Sequence, residues 1–229
     1  LHDVTNATIV VVAVNETSVN SVSRVCFGRP WMVFLEKPPG YNLADGENIL
    51  KAACEADNRV YVGLNRRFMS STRAALAGLQ STKGSRFIHV QDQQDLSTAS
   101  SLGHNATVVD NWMYANSIHV IDYIRLFGRG NVKTVIPIEP WCGDKTHFVL
   151  TKVEFDSGDV GIYEGLWKGP GPWAVTVNTP TVRWEMRPLE SASFQSSGSR
   201  QLHQVEVDPI DTKFKPGFRL QAEMVVSAA

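Results

Sequence analysis

Cysteine is scarce: Cys26, Cys54 and Cys142 are the three in a chain of 229 residues. The number is odd and the spacing suits neither a disulfide framework nor a metal-ligand pair, so these thiols fit a reducing cytoplasm. An excess of charge of one sign is also lacking, with 22 Lys+Arg against 23 Asp+Glu and a net charge of −1. That balance gives no electrostatic reason to expect nucleic acid or an anionic membrane as partner. No apolar run approaches the roughly 18 residues needed to span a bilayer, and no signal peptide precedes the first strand. The first residue is Leu1 rather than methionine, which hints at a processed or partial chain. His2, His89, His104, His147 and His203 do not cluster in sequence with acids or cysteines, so no metal is expected. Repeats and low-complexity segments are absent. With 43% hydrophobic and 20% charged residues, the composition is that of a globular protein long enough for one substantial core or two modest ones.

What is present is organised around Trp31-Met-Val-Phe-Leu-Glu-Lys-Pro-Pro39. Trp31 to Leu35 is apolar, too short for a helix, and reads as a buried strand. Pro38 and Pro39 stop it, and Pro38 biases Lys37 toward extended backbone. Open α/β sheets bind ligands at the carboxyl ends of their strands. Lys37 is therefore a place to look for chemistry, and a strand-end charge reaching into water is the plainer alternative.

Upstream, Ile9 to Val14 is a β-branched run of the kind found in parallel strands covered on both faces. Asn15-Glu-Thr-Ser18 supplies a turn and a cap, and a helical stretch follows to about Phe27. Leu43 to Ala56 reads as a second helix, with Leu43, Ile49, Leu50, Ala53 and Cys54 at helical spacing. Val60 to Leu64 is a third strand. Strand, helix, strand, helix, strand is one half of a doubly wound nucleotide-binding fold, and no G-x-G-x-x-G occurs to mark the other half. Beyond Asn65 the texture changes. Ser70–Gln80 looks helical, Arg86–Gln91 looks like a strand, and Asp95–Asn105 looks like a polar loop. A helix from about Trp112 to Phe127 is closed by Gly128 and Gly130. Strand candidates follow at Val132–Ile138, Phe148–Phe155, Val160–Leu166, Trp173–Asn178 and Val182–Met186, then a helix over Gly217–Val226. The expected fold is α/β: a partial doubly wound, Rossmann-like domain over residues 1–66, then an α+β domain with a large, mainly antiparallel open sheet over residues 67–229.

The residues Val33-Phe-Leu-Glu-Lys-Pro38, followed by a helix and Val60-Tyr-Val-Gly-Leu-Asn-Arg-Arg-Phe68, resemble the Gfo/Idh/MocA oxidoreductases, relatives of glucose–fructose oxidoreductase and inositol 2-dehydrogenase. Ser117-Ile-His-Val-Ile-Asp122 resembles that family's His-x-x-Asp helix, and Pro188-Leu-Glu190 and Phe214-Lys-Pro-Gly-Phe218 match later landmarks. The resemblance spans nearly the whole chain. It implies a two-domain dehydrogenase that uses NAD or NADP on a sugar, sugar nucleotide or cyclitol. It also implies that the first, glycine-rich part of the nucleotide domain lies outside this sequence. Relatives often pair such open sheets into dimers or tetramers, so a homo-oligomer is expected.

Hydride transfer at a carbinol carbon needs a group that takes the hydroxyl proton and a cation that steadies the alkoxide. The resemblance assigns the cation to Lys37. His119 is the candidate base: His119 and Asp122 are neighbours at i, i+3, with Ile118, Ile121 and Ile124 on the side expected to face the core. An ordinary helix histidine paired with a surface aspartate is the plainer reading. Many relatives carry an aspartate four residues before the histidine, where this chain has Ala115. Tyr114, a packing residue on the plainer reading, and Asn116 flank it and are weaker substrate candidates. Asn65 and Arg67 follow the third strand, and Arg67 is expected either to donate to a substrate oxygen or to form a salt bridge between domains. Asn15, Glu16 and Thr17, with Glu36, Lys37 and Pro38, are the expected cofactor-binding residues, although a helix cap explains Thr17 and Ser18 as well. Trp167 and Trp173 bracket Gly169-Pro-Gly-Pro172 and are expected in the core or at an interface between copies. The rival reading is a non-catalytic sugar-binding or oligomerising scaffold of the same fold. A third has the nucleotide half supplied by another chain.

Overall fold

The computed structural model describes residues 6–56 and 59–229; His2 lies outside the described residues. The chain forms two compact units. The first takes in the chain up to Asn65 together with Ser97–Ile118 and Arg219–Ala229, and the second takes in Arg66–Leu96 and His119–Phe218.

In the first unit, strands β1 (Ile9–Val12), β2 (Met32–Glu36) and β3 (Val60–Gly63) form a parallel sheet in that order. The register aligns Val10, Val33 and Val60 on one face and Val11, Phe34 and Tyr61 on the other. Helices α1 (Val19–Phe27) and α2 (Leu43–Glu55) pack on the Val33 face. There Val12, Val19, Phe27, Val33, Leu35 and Ile49 share one buried cluster, and each such side chain contributes about 1.5–3 kcal/mol of hydrophobic stabilisation. Among the described residues the β-branched run is covered on one face. Val11 is 61% exposed, because the two helices lie on the opposite face. The α2 pattern needs correction too: Ile49 and Ala53 are buried with Ala52, whereas Leu43, Leu50 and Cys54 are exposed. A short helix, α4 (Leu96–Ser101), occupies the middle of the Asp95–Asn105 stretch read as a loop, and a second, α5 (Ala106–Asp110), follows that stretch.

In the second unit, the sheet has eight strands in the order β11-β10-β9-β8-β4-β7-β6-β5. These are β4 (Phe87–Gln93), β5 (Val132–Glu139), β6 (Phe148–Phe155), β7 (Val160–Leu166), β8 (Ala174–Asn178), β9 (Val182–Met186), β10 (Ser193–Ser196) and β11 (His203–Gln204). Among the described residues of this sheet β4 and β7 pair in parallel and the other neighbours are antiparallel, as expected. Strand β5 is exposed along its whole length and carries Pro137, a residue suited to an edge strand. Helices α3 (Ser70–Leu79) and α6 (Ile118–Phe127) supply buried faces. On α6 the buried set is His119, Val120, Tyr123, Ile124 and Phe127, so the histidine itself sits on the inward face and Ile118 and Ile121 are half-buried. The close approach of this helix to β7 depends on Gly161, where an added Cβ would lie 2.7 Å from Ile124 Cγ2.

Asp159 pins one end of this unit. Its fully buried carboxylate accepts from the backbone N–H of Arg86 (2.8 Å) and Arg129 (3.0 Å) and from the Arg129 guanidinium (2.6 and 2.8 Å). Burial alone would raise its pKa; the bonds from Arg129 and the two amides outweigh that and hold it at about 2. The remaining helices are α7 (Pro209–Lys213), in the second unit, and α8 (Phe218–Ala228), almost all of it in the first. Strands β10 and β11 and helix α7 are additions to the elements read from the sequence.

Candidate active site

In the first unit the site residues gather at the carboxyl ends of β1, β2 and β3. Lys37 follows β2 directly, and its ammonium donates to the carbonyl oxygen of Ala115 at 2.9 Å. Ala115 lies in a single π turn, Met113–Ser117, that precedes α6; such turns recur at functional sites. Glu36 pairs in register with Gly63, and a Cβ at Gly63 would stand 2.8 Å from Glu36 Oε2. Glycine there lets the carboxylate lean across β3. Tyr114 is 37% exposed and lines a largely apolar cavity of about 460 Å³ with Leu35, Pro38, Leu43, Leu50 and Ile118. Asn116 is half-buried beside it in the π turn.

After β1, Asn15 acts as a cap: its Oδ1 accepts from Thr17 N–H at 3.1 Å and from Thr17 Oγ1 at 2.8 Å. Glu16 faces His104 at 3.9 Å, and the His104 ring meets Trp112 edge-on at 4.9 Å. Neither aromatic was expected from sequence near the end of β1. Asn65 is buried, and the amide of Gln221 on α8, turned with its oxygen inward, accepts from the N–H groups of Leu64 and Asn65 at 3.1 and 3.3 Å.

In the second unit the structure brings Arg67 and Asp122 together. Arg67 Nε and Nη2 donate to the two carboxylate oxygens at 2.6 and 2.5 Å, the bidentate geometry that favours Arg over Lys. Both residues belong to the same unit. The hydrogen bond to Asp122 raises the Arg67 pKa further.

His119 is buried, and its ring centroid lies 6.5 Å from that of Trp173. Trp173 carries the Arg66 guanidinium over its ring at 4.5 Å and donates from Nε1 to the Gln93 carbonyl at 2.8 Å. Behind them the buried Asp92 accepts from the Tyr163 hydroxyl at 2.7 Å and the Gln94 amide at 2.5 Å. Tyr123 shares its hydroxyl with Thr72 at 2.8 Å and the Arg66 carbonyl at 3.3 Å. Burial pushes its pKa up to about 12, which removes it from acid–base work near neutrality. Arg66, Trp173 and Glu190 were not singled out as site residues in the sequence. The available signal was Arg66 beside Arg67 at the end of a strand; the contact with Trp173 is between residues more than a hundred positions apart.

Among the described residues no three His, Cys, Asp or Glu side chains group as a metal site, and no helix is long and apolar enough to cross a membrane.

No protein-family model matches this sequence, and no curated protein does. Solved structures do match. A dehydrogenase from Chromobacterium violaceum superposes with a TM-score of 0.80 at 18% identity, over 99% of this chain and 70% of that one. The UDP-N-acetylglucosamine 3-dehydrogenase of Acidithiobacillus ferrooxidans gives 0.74 at 12%, over 96% and 69%. A structure of the WlbA dehydrogenase from C. violaceum, in complex with NADH and UDP-GlcNAcA, gives 0.69 at 17%, over 98% and 68%. The chain therefore has the fold of these dehydrogenases, the fold that its resemblance to the Gfo/Idh/MocA oxidoreductases implies.

Proposed function

We propose that this chain is the greater part of an NAD(P)-dependent dehydrogenase or reductase acting on a hydroxyl or keto group of a sugar, sugar nucleotide or cyclitol. The observation that carries the reading is Lys37, fixed at the carboxyl end of a parallel strand with its ammonium on a π-turn carbonyl. That carbonyl belongs to Ala115, four positions before His119 in the sequence.

The chain's residues fit a nicotinamide nucleotide in part. Asn15, Glu16 and Thr17 follow one strand, and Glu36, Lys37 and Pro38 end or follow the next. The sequence holds no G-x-G-x-x-G to cradle the phosphates. When bound, the nicotinamide supplies the hydride acceptor or donor. Lys37 donates to the substrate oxygen and stabilises negative charge there, and His119 takes the hydroxyl proton or returns it. Asn65, Arg67, Tyr114, Asn116 and Asp122 are the further substrate-side candidates, with Arg67 and Asp122 acting as a pair. The open eight-stranded sheet is the proposed face of a homo-oligomer, and the proposed location is the cytoplasm.

The test is a titration of the intact protein with NADH and with NADPH, followed by nicotinamide fluorescence. Saturable binding supports the dehydrogenase. Its absence favours a second reading, a sugar-binding or oligomerising scaffold. One observation favours that alternative: Ala115 occupies the position where many relatives carry an aspartate.

A further inference from the structure

Arg66 is a mostly buried cation of the second unit with few hydrogen-bond partners. Its side chain is 19% exposed, and the nearest carboxylate, Glu190 Oε1, stands 3.9 Å from Nη1, too far for a hydrogen bond. Its buried Nε has no partner among the described residues. One face of the guanidinium is closed by Trp173 at 4.5 Å, and the same indole lies 6.5 Å from the His119 ring. A guanidinium with this few hydrogen bonds is unusual in a folded protein, where buried polar groups are almost always paired.

The separation of 3.9 Å has a chemical meaning. A hydroxyl oxygen about 2.9 Å from an N–H donor and about 2.7 Å from a carboxylate oxygen spans it with a bent angle near 90°. Such a group accepts from Arg66 and donates to Glu190 at once, which neither an aliphatic group nor a carboxylate does. Charge points the same way. Arg66 already faces the Glu190 carboxylate. An incoming carboxylate or phosphate would set a second negative charge beside Glu190, whereas a neutral hydroxyl adds none.

We propose that Arg66 and Glu190 together read a neutral hydroxyl of the sugar or cyclitol, with Trp173 holding the guanidinium in place. They are specificity-determining residues for an uncharged ring position. This inference rests on the sugar-directed reading of the function and names the part of the substrate that this side of the site takes.

Saturation-transfer NMR on the intact protein tests it, with D-glucose and myo-inositol as neutral probes and D-glucuronate as the anionic one. Wild type is expected to bind a neutral probe and to bind D-glucuronate no more tightly. Arg66→Met and Glu190→Gln are each expected to raise the Kd by about tenfold or more, the loss typical of a hydrogen bond to a charged group. The double variant is expected to lose little beyond either single change, because both partners serve one hydroxyl. Thermal melts check folding, and Arg66→Lys, which keeps the charge but not the planar fork, is expected to weaken binding even if Arg66→Met unfolds. Tighter binding of D-glucuronate than of D-glucose, unchanged affinity in both single variants, or no binding of either neutral probe to wild type overturns the proposal. NADH titration of the same samples separates the failures. NADH binding without polyol binding overturns this inference alone, whereas polyol binding without NADH binding overturns the dehydrogenase reading and leaves the role of Arg66 standing.

Discussion

The ammonium of Lys37 and the carbonyl of Ala115 are joined by a 2.9 Å hydrogen bond, so a strand-end lysine is held by a turn 78 residues further along the chain. The bond fixes the direction of a long side chain that would otherwise lose rotamer entropy on meeting a substrate. Lys37→Met keeps much of the aliphatic stem and removes the charge. Turnover by the protein with its full nucleotide-binding half is expected to fall by about 100-fold or more, in line with the loss of a donor to a developing oxyanion. Urea denaturation should show a loss of only about 1.5–3 kcal/mol, the worth of one hydrogen bond from a charged group. Steady-state kinetics checks the first figure, and turnover retained at the wild-type level would refute the catalytic assignment.

Arg67 and Asp122 form a bidentate pair in which the carboxylate is mostly buried and the guanidinium is 40% exposed. That exposure lowers its worth below that of a fully buried ion pair. A double-mutant cycle on Arg67→Ala and Asp122→Ala is expected to return a coupling energy of about 1–2 kcal/mol. Asp122→Ala leaves the more exposed partner, so it is expected to cost less than Arg67→Ala, which leaves a carboxylate facing a protein interior. Chemical denaturation of the three variants measures all of these terms.

Much of the fold could be read in advance because the sheet's strands carry their own signal. Phe148–Phe155, Val160–Leu166 and Val182–Met186 are bounded by turns and coincide with β6, β7 and β9. What escaped is short or polar. Leu96-Ser-Thr-Ala-Ser-Ser101 forms α4 although its serines and threonine favour caps and turns over helix interiors. Strand β10 is four residues long and β11 two, below the length at which alternation can be counted. The π turn at Met113–Ser117 is invisible to a helical pattern, because it adds a residue to one turn without changing the composition. The site was legible to the extent that its residues follow strands: Lys37 follows β2, and Arg66 and Arg67 come soon after β3. The partners of those residues were not. Arg67 finds Asp122 fifty-five positions away, and Arg66 finds Trp173 and Glu190, contacts that only tertiary packing creates.

Gly63 offers a test of how Glu36 is placed. A Cβ there would meet Glu36 Oε2 at 2.8 Å, Phe34 Cζ at 3.2 Å and the Leu35 carbonyl at 3.3 Å. The carboxylate is the far end of a flexible side chain, but the ring and the backbone carbonyl must also give. Gly63→Ala is expected to destabilise by about 1–3 kcal/mol, the usual cost of overpacking, and to turn the Glu36 carboxylate away from β3. The double change Gly63→Ala with Glu36→Ala is expected to recover part of that loss. Thermal melts of the two variants decide it: equal losses would mean that the glycine is needed for the backbone and ring contacts alone.

Asp159 sets the acid limit of the second unit. Its carboxyl titrates at about 2 in the folded chain and near 3.9 when unfolded. The folded state therefore binds this proton less readily than the unfolded state. The resulting stability is present in full above pH ~5 and is lost as the pH falls from there through the folded pKa. The difference corresponds to about 2.5 kcal/mol. Wild type is expected to lose that increment between pH 5 and 2 in excess of the Asp159→Asn variant, whose amide has no charge to titrate. At pH 7 the same variant should already be less stable by about 2 kcal/mol or more, since an amide oxygen replaces a carboxylate that accepts from Arg129 and from two backbone N–H groups. Urea denaturation of both proteins across that pH range checks the sign. Parallel curves would show that Arg129 holds Asp159 no more strongly in the folded chain than water does in the unfolded one.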